Sequence, residues 1–247
     1  MSTPVVTVAS GGLPVTWVSA VPYALPVTEA VNGRGIPVTK VAAGGLPVTY
    51  VTEGGAIVSP FTPTTWNPAD KTLINLSNGN LTATSTGSGG VRSVLGQNAG
   101  KFYFEILMST WGSAGTGAGL STAAVPLTGG PIGAGKIGVA LNGTVWINNS
   151  PIVNIGTPAS GSVVGIAADL TAPLAWLRLG AAGPWNANSG SANNPATGIG
   201  GFNIAVLGGP LFPAFWASAI GEVGAANFGA SAFAGAVPGS YTPGWGT

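Results

Sequence analysis

Lys101-Phe102-Tyr103-Phe104-Glu105-Ile106-Leu107-Met108 alternates with a period of two. That is the period of an extended strand, whose successive side chains point to opposite faces. Phe102, Phe104 and Ile106 fall on one face, and Lys101, Tyr103 and Glu105 on the other. Lys101 and Glu105 lie too far apart along a strand to pair strongly with each other. The polar face is therefore read as solvated or paired across strands. Val163-Val164-Gly165-Ile166-Ala167-Ala168-Asp169-Leu170 is apolar almost without a break, so both of its faces are expected to be covered. Thr171-Ala172-Pro173 turns it into Leu174–Leu179, which reads as a hairpin.

Outward from these two stretches, β-type runs recur between Gly, Asn and Pro. They are Leu81–Thr84, Gly90–Val94, Ala118–Thr122, Lys136–Ala140, Thr144–Ile147, Ala175–Leu179, Gly201–Val206, Leu211–Ala217 and Val223–Asn227. Many short strands punctuated by turn residues mark an all-β sandwich or barrel. No window carries the spacing of an amphipathic helix of normal length. The reading is an antiparallel β-sandwich over residues 61–247, with Thr62–Pro68 as its junction to what precedes it.

Residues 1–60 read differently. Leu13-Pro14-Val15-Thr16 returns as Leu25-Pro26-Val27-Thr28, Ile36-Pro37-Val38-Thr39 and Leu46-Pro47-Val48-Thr49. Thr3–Thr7 and Gly55–Ser59 look like degenerate outer copies. Each unit reads as a turn followed by a short extended segment: Gly supplies the turn, Pro biases the preceding residue to β geometry, and Val-Thr continues as strand. A Pro within such a strand confines it to an edge or to its first position. A unit this short cannot bury a core alone, so the copies are expected to stack on each other, on sister chains or on another protein. Leu13, Pro14, Val15, Leu25, Pro26, Val27, Ile36, Pro37, Val38, Leu46, Pro47 and Val48 are the expected anchoring or oligomerisation residues. The competing reading is a flexible Gly/Pro linker.

Composition narrows the chemistry. Of 247 residues, 42 are Gly and 20 Pro, charged residues are 5%, and Cys and His are absent. Thiol nucleophiles, imidazole bases, Ser-His-Asp triads and zinc fingers are excluded. Six carboxylates in the chain leave few acid/base pairs. Seven scattered cations and a net charge of +1 provide no nucleic-acid footprint. No metal site or cofactor is expected. Mean hydropathy is +0.45, but the uncharged stretch Leu179–Gly221 is broken by Gly, Pro, Asn and Ser, so no membrane helix is expected. The first residues lack a basic region and an unbroken apolar run, so a secretory signal is not expected either.

Among the Trp residues, Trp176 and Trp216 lie inside apolar strands and read as core, while Trp111, Trp146, Trp185 and Trp245 are further candidates for a sugar-stacking surface. Trp111 and Trp185 lie among Gly, Ser and Asn in loops, where they either contact a ligand or anchor the loop. Asn186, Asn188, Asn193 and Asn194 form a polar uncharged loop that can bond a glycan or satisfy its own backbone. Asp169 reads as a turn-former that accepts from nearby backbone N–H groups. Nothing in the spacing brings Glu105 and Asp169 together as a hydrolase pair. Gly133-Ala134-Gly135-Lys136-Ile137 has a Lys but no following hydroxyl or helix, so it is not read as a phosphate loop.

Trp66-Asn67-Pro68, Gly100–Glu105, Gly161–Leu170, Leu211-Phe212-Pro213-Ala214 and Asn227-Phe228-Gly229 with Phe233 together resemble the SPRY-type, concanavalin-like β-sandwich. Ser162 stands where that family commonly carries Asp, which keeps the strand pattern and removes one candidate polar contact. Trp185-Asn186, Asn194–Gly198 and Gly200-Gly201 look like the version found in bacteriophage virion proteins, and the Leu-Pro-Val-Thr units look like their N-terminal arms. The resemblance spans about residues 62–247. It implies a non-enzymatic virion component, such as a fibre, spike or decoration protein on head or tail. Such a protein is assembled in the host cytoplasm and exposed on the particle. Its partners would be other virion proteins, sister chains in a homo-oligomer (a trimer favoured) and a host-surface glycan bound by Trp111, Trp185, Asn186, Asn188 and Asn193. The alternative is a free-standing carbohydrate-binding module.

Overall fold

The computed structural model describes residues 61–187 and 192–247 in full, and within residues 1–60 the backbone of six short strands. The chain divides into two units, Met1–Thr62 and Pro63–Thr247. In the first, β1 (Val5–Val8) pairs antiparallel with β2 (Pro14–Trp17), β3 (Val27–Val31) with β4 (Ile36–Lys40), and β5 (Tyr50–Val51) with β6 (Ile57–Val58). Pro14, Val15, Val27, Ile36, Pro37 and Val38 lie in these strands. Among the described residues each of these sheets has two strands, so each strand is an edge, where Pro is tolerated. Leu13, Leu25, Pro26, Leu46, Pro47 and Val48 lie outside the described residues.

The second unit is nearly all β. Its strands are β7 (Trp66–Ser77), β8 (Thr82–Ser93), β9 (Lys101–Thr110), β10 (Gly117–Thr122), β11 (Lys136–Ala140), β12 (Thr144–Ile147), β13 (Ser150–Asn154), β14 (Ser162–Asp169), β15 (Leu174–Leu179), β16 (Phe202–Asn203), β17 (Leu211–Ala217), β18 (Val223–Asn227) and β19 (Thr242–Pro243). They form one curled sheet in the order β13-β12-β11-β10-β17-β8-β18-β9-β14-β15-β16, with β7 added on β8 and β19 on β9. Among the described residues no helix is long and apolar enough to cross a membrane.

Register shows how one sheet becomes two layers. Ala214–Ala217 of β17 pair with Arg92–Gly89 of β8, and Val223–Ala225 of β18 pair with Thr84–Thr82. β7 occupies the opposite edge of β8 along both stretches. So β17 and β18 run one after the other along the same edge of β8, interrupted only by the 218–222 loop. At that loop the sheet divides. β17 continues into β10, β11, β12 and β13, and β18 into β9, β14, β15 and β16.

The core fills the space between the layers. Phe104, Ile106 and Met108 of β9 and Val164 and Ile166 of β14 pack with Val91, Leu120, Val139 and Phe215, alongside Trp66, Trp111, Phe228 and Trp245. Trp66 meets Phe228 edge-on at 5.0 Å, and Phe104 meets Trp245 at 5.4 Å. The C-terminal segment closes the unit: Trp245 N–H donates to Phe228 O, and Thr64 N–H to Trp245 O.

Four expectations from the sequence are corrected. Trp66–Pro68 is not merely a junction; it opens a 12-residue strand. Its Pro68 is accommodated because β7 is an edge strand whose register shifts between Trp66 and Lys71. Leu81–Thr84 and Gly90–Val94 belong to one continuous strand, β8. Its glycines are packing residues rather than breakers: a Cβ on Gly90 would lie 2.7 Å from the Phe215 carbonyl oxygen. Gly201–Val206 is a two-residue strand followed by a 3-10 turn at Ala205–Leu207. Finally, the Lys101/Tyr103/Glu105 face of β9 is solvated only at its Lys101 end. Tyr103 and Glu105 are buried beneath the chain's last segments, and Lys101 pairs across strands with Asp169 at 3.1 Å. The cross-strand half of that expectation stands: the two residues are directly opposed in register.

Candidate functional site

The outer face of β9, β14 and β15 carries the densest polar chemistry of the unit. Glu105, Gly165 and Arg178 are neighbours across the three strands. Gly165 has no side chain, so the arms on either side meet above it. A Cβ there would lie 3.0 Å from Arg178 Nε and 3.1 Å from the Tyr103 hydroxyl. Tyr103 donates to Glu105 Oε1 at 2.5 Å and accepts from Arg178 at 2.9 Å. Burial and then the Glu105 hydrogen bond push the Tyr103 phenol well above its ordinary pKa.

The same two charges fasten a strap of chain over the sheet. Glu105 accepts the backbone N–H groups of Ala234 and Gly235, each at 2.8 Å, and Arg178 donates to Ala236 O at 2.9 Å. Phe233 on the strap meets the Tyr103 ring at 5.1 Å. Trp185 lies over the Arg178 guanidinium at 4.3 Å, a cation–π contact that keeps the half-buried indole in place.

Asn186 sets the position of Trp185. It adopts a left-handed backbone (φ 50°), which Asn tolerates better than most residues. Its side chain accepts from Leu177 N–H at 2.9 Å and donates to Gly200 O at 2.8 Å, so it substitutes for a strand partner at the edge of β15. Asn193 donates to Trp185 O at 3.1 Å.

The expected ligand residues therefore separate. Trp185 is half-buried and keeps part of its ring at the surface. Asn193 is half-buried and holds the loop. Asn186 is buried, a correction with a plain cause: its amide is committed to backbone groups of the sheet edge and the 200 turn. Trp111 is corrected likewise. Its indole is 3% exposed and its N–H donates to Thr116 O at 2.9 Å, so it belongs to the core. Trp245 is core as well. Asn188 lies outside the described residues. Asp169 accepts the N–H groups of Thr171 and Ala172, as a turn-former does.

Glu222 and Lys136 were not singled out by the sequence reading as site residues. Glu222 sits in the loop where the sheet divides and accepts the N–H groups of Ser113, Ser218 and Ala219 at 2.8, 2.9 and 3.0 Å. Burial pushes its carboxyl up, but hydrogen bonds led by the Thr116 hydroxyl outweigh that and hold it below the ordinary carboxylate range. Asp70 forks onto the buried Arg92 at 2.7 and 2.9 Å. Thus Asp70, Glu105, Asp169 and Glu222, the side-chain carboxylates of residues 63–247, are each engaged within the protein. Among the described residues no group of His, Cys, Asp and Glu can hold a metal ion.

Against known proteins, no family model matches this chain. No curated protein matches it either. Solved structures do. The SPRY domain of human HERC1 superposes with a TM-score of 0.51 at 14% identity, over 65% of this chain and 96% of that one. The TRIM65 PSpry domain gives a TM-score of 0.48 at 18% identity, over 67% and 92%. The first likeness concerns the fold: residues 63–247 form a SPRY-like β-sandwich.

Proposed function

We propose that this chain is a non-enzymatic structural component of a bacteriophage particle, of the fibre, spike or decoration kind. Its residues 1–60 anchor it among sister chains and other particle proteins. Its sandwich presents rim loops to the host surface, with Trp185 as the ring that stacks on a glycan.

The observation that carries this reading is the deployment of charge. In residues 63–247 each side-chain carboxylate ties down a loop, a turn or a cation, which leaves an exterior with few charges, Lys71 and parts of Lys101 and Asp70 among them, suited to apposition with neighbouring chains. Trp185 adds an aromatic surface on a rigid support, the combination that loop-based recognition requires. The resemblance of the Leu-Pro-Val-Thr units to phage arms supplies the particle context.

The test is to band particles by density from a culture carrying the gene and to quantify this chain by mass spectrometry. A fixed copy number in the particle band is expected, together with a trimeric mass for the purified full chain by light scattering. Recovery only from the soluble fraction overturns the particle reading. The second reading, a free-standing carbohydrate-binding module, rests on Trp185 alone. It requires a saturable sugar affinity of the soluble chain that Trp185→Ala removes.

A further inference from the structure

The outer face of the other layer holds a separate constellation. Register places Ser121 opposite Lys136, Gly119 opposite both Gly138 and Ala214, and Gly117 opposite Trp216. Ala214 in turn faces Arg92, and Gly138 faces Trp146. Directly opposed residues share a face. Lys136, Arg92, Ser121, Trp146 and Trp216 therefore stand on one side of the sheet, among residues reduced to Gly or Ala.

The 122–135 segment is tied across this face by two buried cations. Arg92 donates to the carbonyls of Thr122 and Val125 at 3.2 and 2.6 Å. Lys136 donates to those of Thr128 and Gly130 at 3.0 and 2.8 Å. Their charges are balanced differently. Arg92 has Asp70. Lys136 is 3% exposed, and each Asp and Glu side chain of residues 63–247 is engaged elsewhere. Its other neighbour is the Trp216 ring, 5.3 Å from Nζ to centroid. Burial, with repulsion from Arg92 added, pulls the amine down to about 8. On the same face Ser121 Oγ, Trp146 Nε1 and Trp216 Nε1 are buried and make no hydrogen bond within the described protein.

Lys136 also lines a groove of about 490 Å³, walled by Val125, Pro126, Thr128, Ile132 and Gly133 among others. That volume is within the span of small-molecule sites. Gly133 stands next to the amine, since a Cβ there would lie 3.9 Å from Nζ. Apart from Lys136 the walls carry no charge.

We propose that this groove binds a small ligand through a carboxylate seated at the Lys136 ammonium, on an otherwise uncharged body. A buried ammonium held by two carbonyls and a ring face recovers only part of its desolvation cost, and a single negative charge from solution neutralises it. A doubly charged phosphate leaves one charge uncompensated among apolar walls, so one carboxylate fits better. Arg92 is the other cation near the amine, and Asp70 already neutralises it. The inference does not depend on the role proposed above for the whole chain.

The test uses the full chain and ligand-observed saturation-transfer NMR. The probes are glucuronate and N-acetylglycine, each against its own amide. Saturable binding of an acid and not of its amide is expected. Which of the two acids binds more tightly distinguishes an acidic sugar from a peptide carboxylate. Because the ligand requires the protonated amine, affinity at pH 9 is expected to be about tenfold weaker than at pH 7. Lys136→Met abolishes binding, with near-ultraviolet circular dichroism checking its fold. Should that variant not fold, protection of Lys136 from acylation by bound acid, read by peptide mass spectrometry of the wild-type chain, decides instead. Equal binding of acid and amide, affinity independent of pH, or no protection overturns the proposal.

Discussion

The Thr116 hydroxyl donates to the buried Glu222 carboxylate, joining the loop from β9 to β10 with the loop from β17 to β18. These are two of the four connections at which the chain passes between the layers, the others running from β13 to β14 and from β16 to β17. Glu222 also accepts Ser113 N–H from the first loop and Ser218 and Ala219 N–H from its own. One side chain thus gathers the backbone donors that the division of the sheet leaves without strand partners.

Replacing Glu222 by Ala is expected to destabilise the sandwich by about 3 kcal/mol, because several buried N–H groups lose their acceptor at once. Urea denaturation followed by tryptophan fluorescence measures this. A loss below about 0.5 kcal/mol contradicts the role given to the clamp.

The same carboxyl makes stability depend on acid. Its folded pKa lies below the unfolded value of about 4.3, so its contribution is complete above that pH and is lost as pH falls through the folded value. Wild type is expected to lose its advantage over Glu222→Gln as pH drops below about 4. Parallel denaturant titrations from pH 2 to 7 record the difference.

Lys136 works in the opposite range. Its folded pKa of about 8 is below the unfolded value of about 10.4, so between these the unfolded chain binds more protons and stability rises with pH. Thermal melts between pH 7.5 and 10.5 are expected to show a rise that Lys136→Met lacks.

Trp111 and Trp185 are expected to behave differently. Trp111→Ala removes a core indole and costs about 3–5 kcal/mol. Trp185→Ala removes a half-buried ring over Arg178 and costs about 1 kcal/mol, mostly its cation–π contact. Calorimetric melts separate the two. Sugar binding, where found, is expected to be lost only with Trp185 once stability is matched.

Two glycines give a graded pair. A Cβ on Gly119 would lie 1.9 Å from the Ile137 carbonyl oxygen, which is backbone and cannot yield, so Gly119→Ala is expected to cost about 3 kcal/mol. At Gly165 the Cβ meets the Arg178 and Tyr103 side chains at 3.0–3.1 Å, and a cost of about 1 kcal/mol is expected. Denaturation midpoints of the two variants give the ranking.

Most strands were legible where side-chain alternation is strong. Lys136–Ala140, Thr144–Ile147, Leu211–Ala217 and Val223–Asn227 coincide with the sequence reading. β7 and β8 were not, because Pro68, Gly87, Gly89 and Gly90 are turn residues by local preference. Only tight contact with Thr72 and Phe215 makes glycine the required strand residue at positions 89 and 90. Trp185 was found as a loop aromatic. Asn186 looked identical in kind, and its burial follows from an edge of β15 that no local pattern announces.

By itself the sequence determined the all-β class, the inward face of β9 and the covered β14, because side-chain period is a local property of the backbone. The fate of the scarce charges was decided only by tertiary structure. Lys101, Tyr103 and Glu105 share one face by period alone, but whether water or protein covers that face depends on a strap 130 residues further on. Glu222 and Lys136 carry no motif. Their surroundings arise where a sheet divides and where a loop crosses a glycine floor, contacts between segments far apart in the chain.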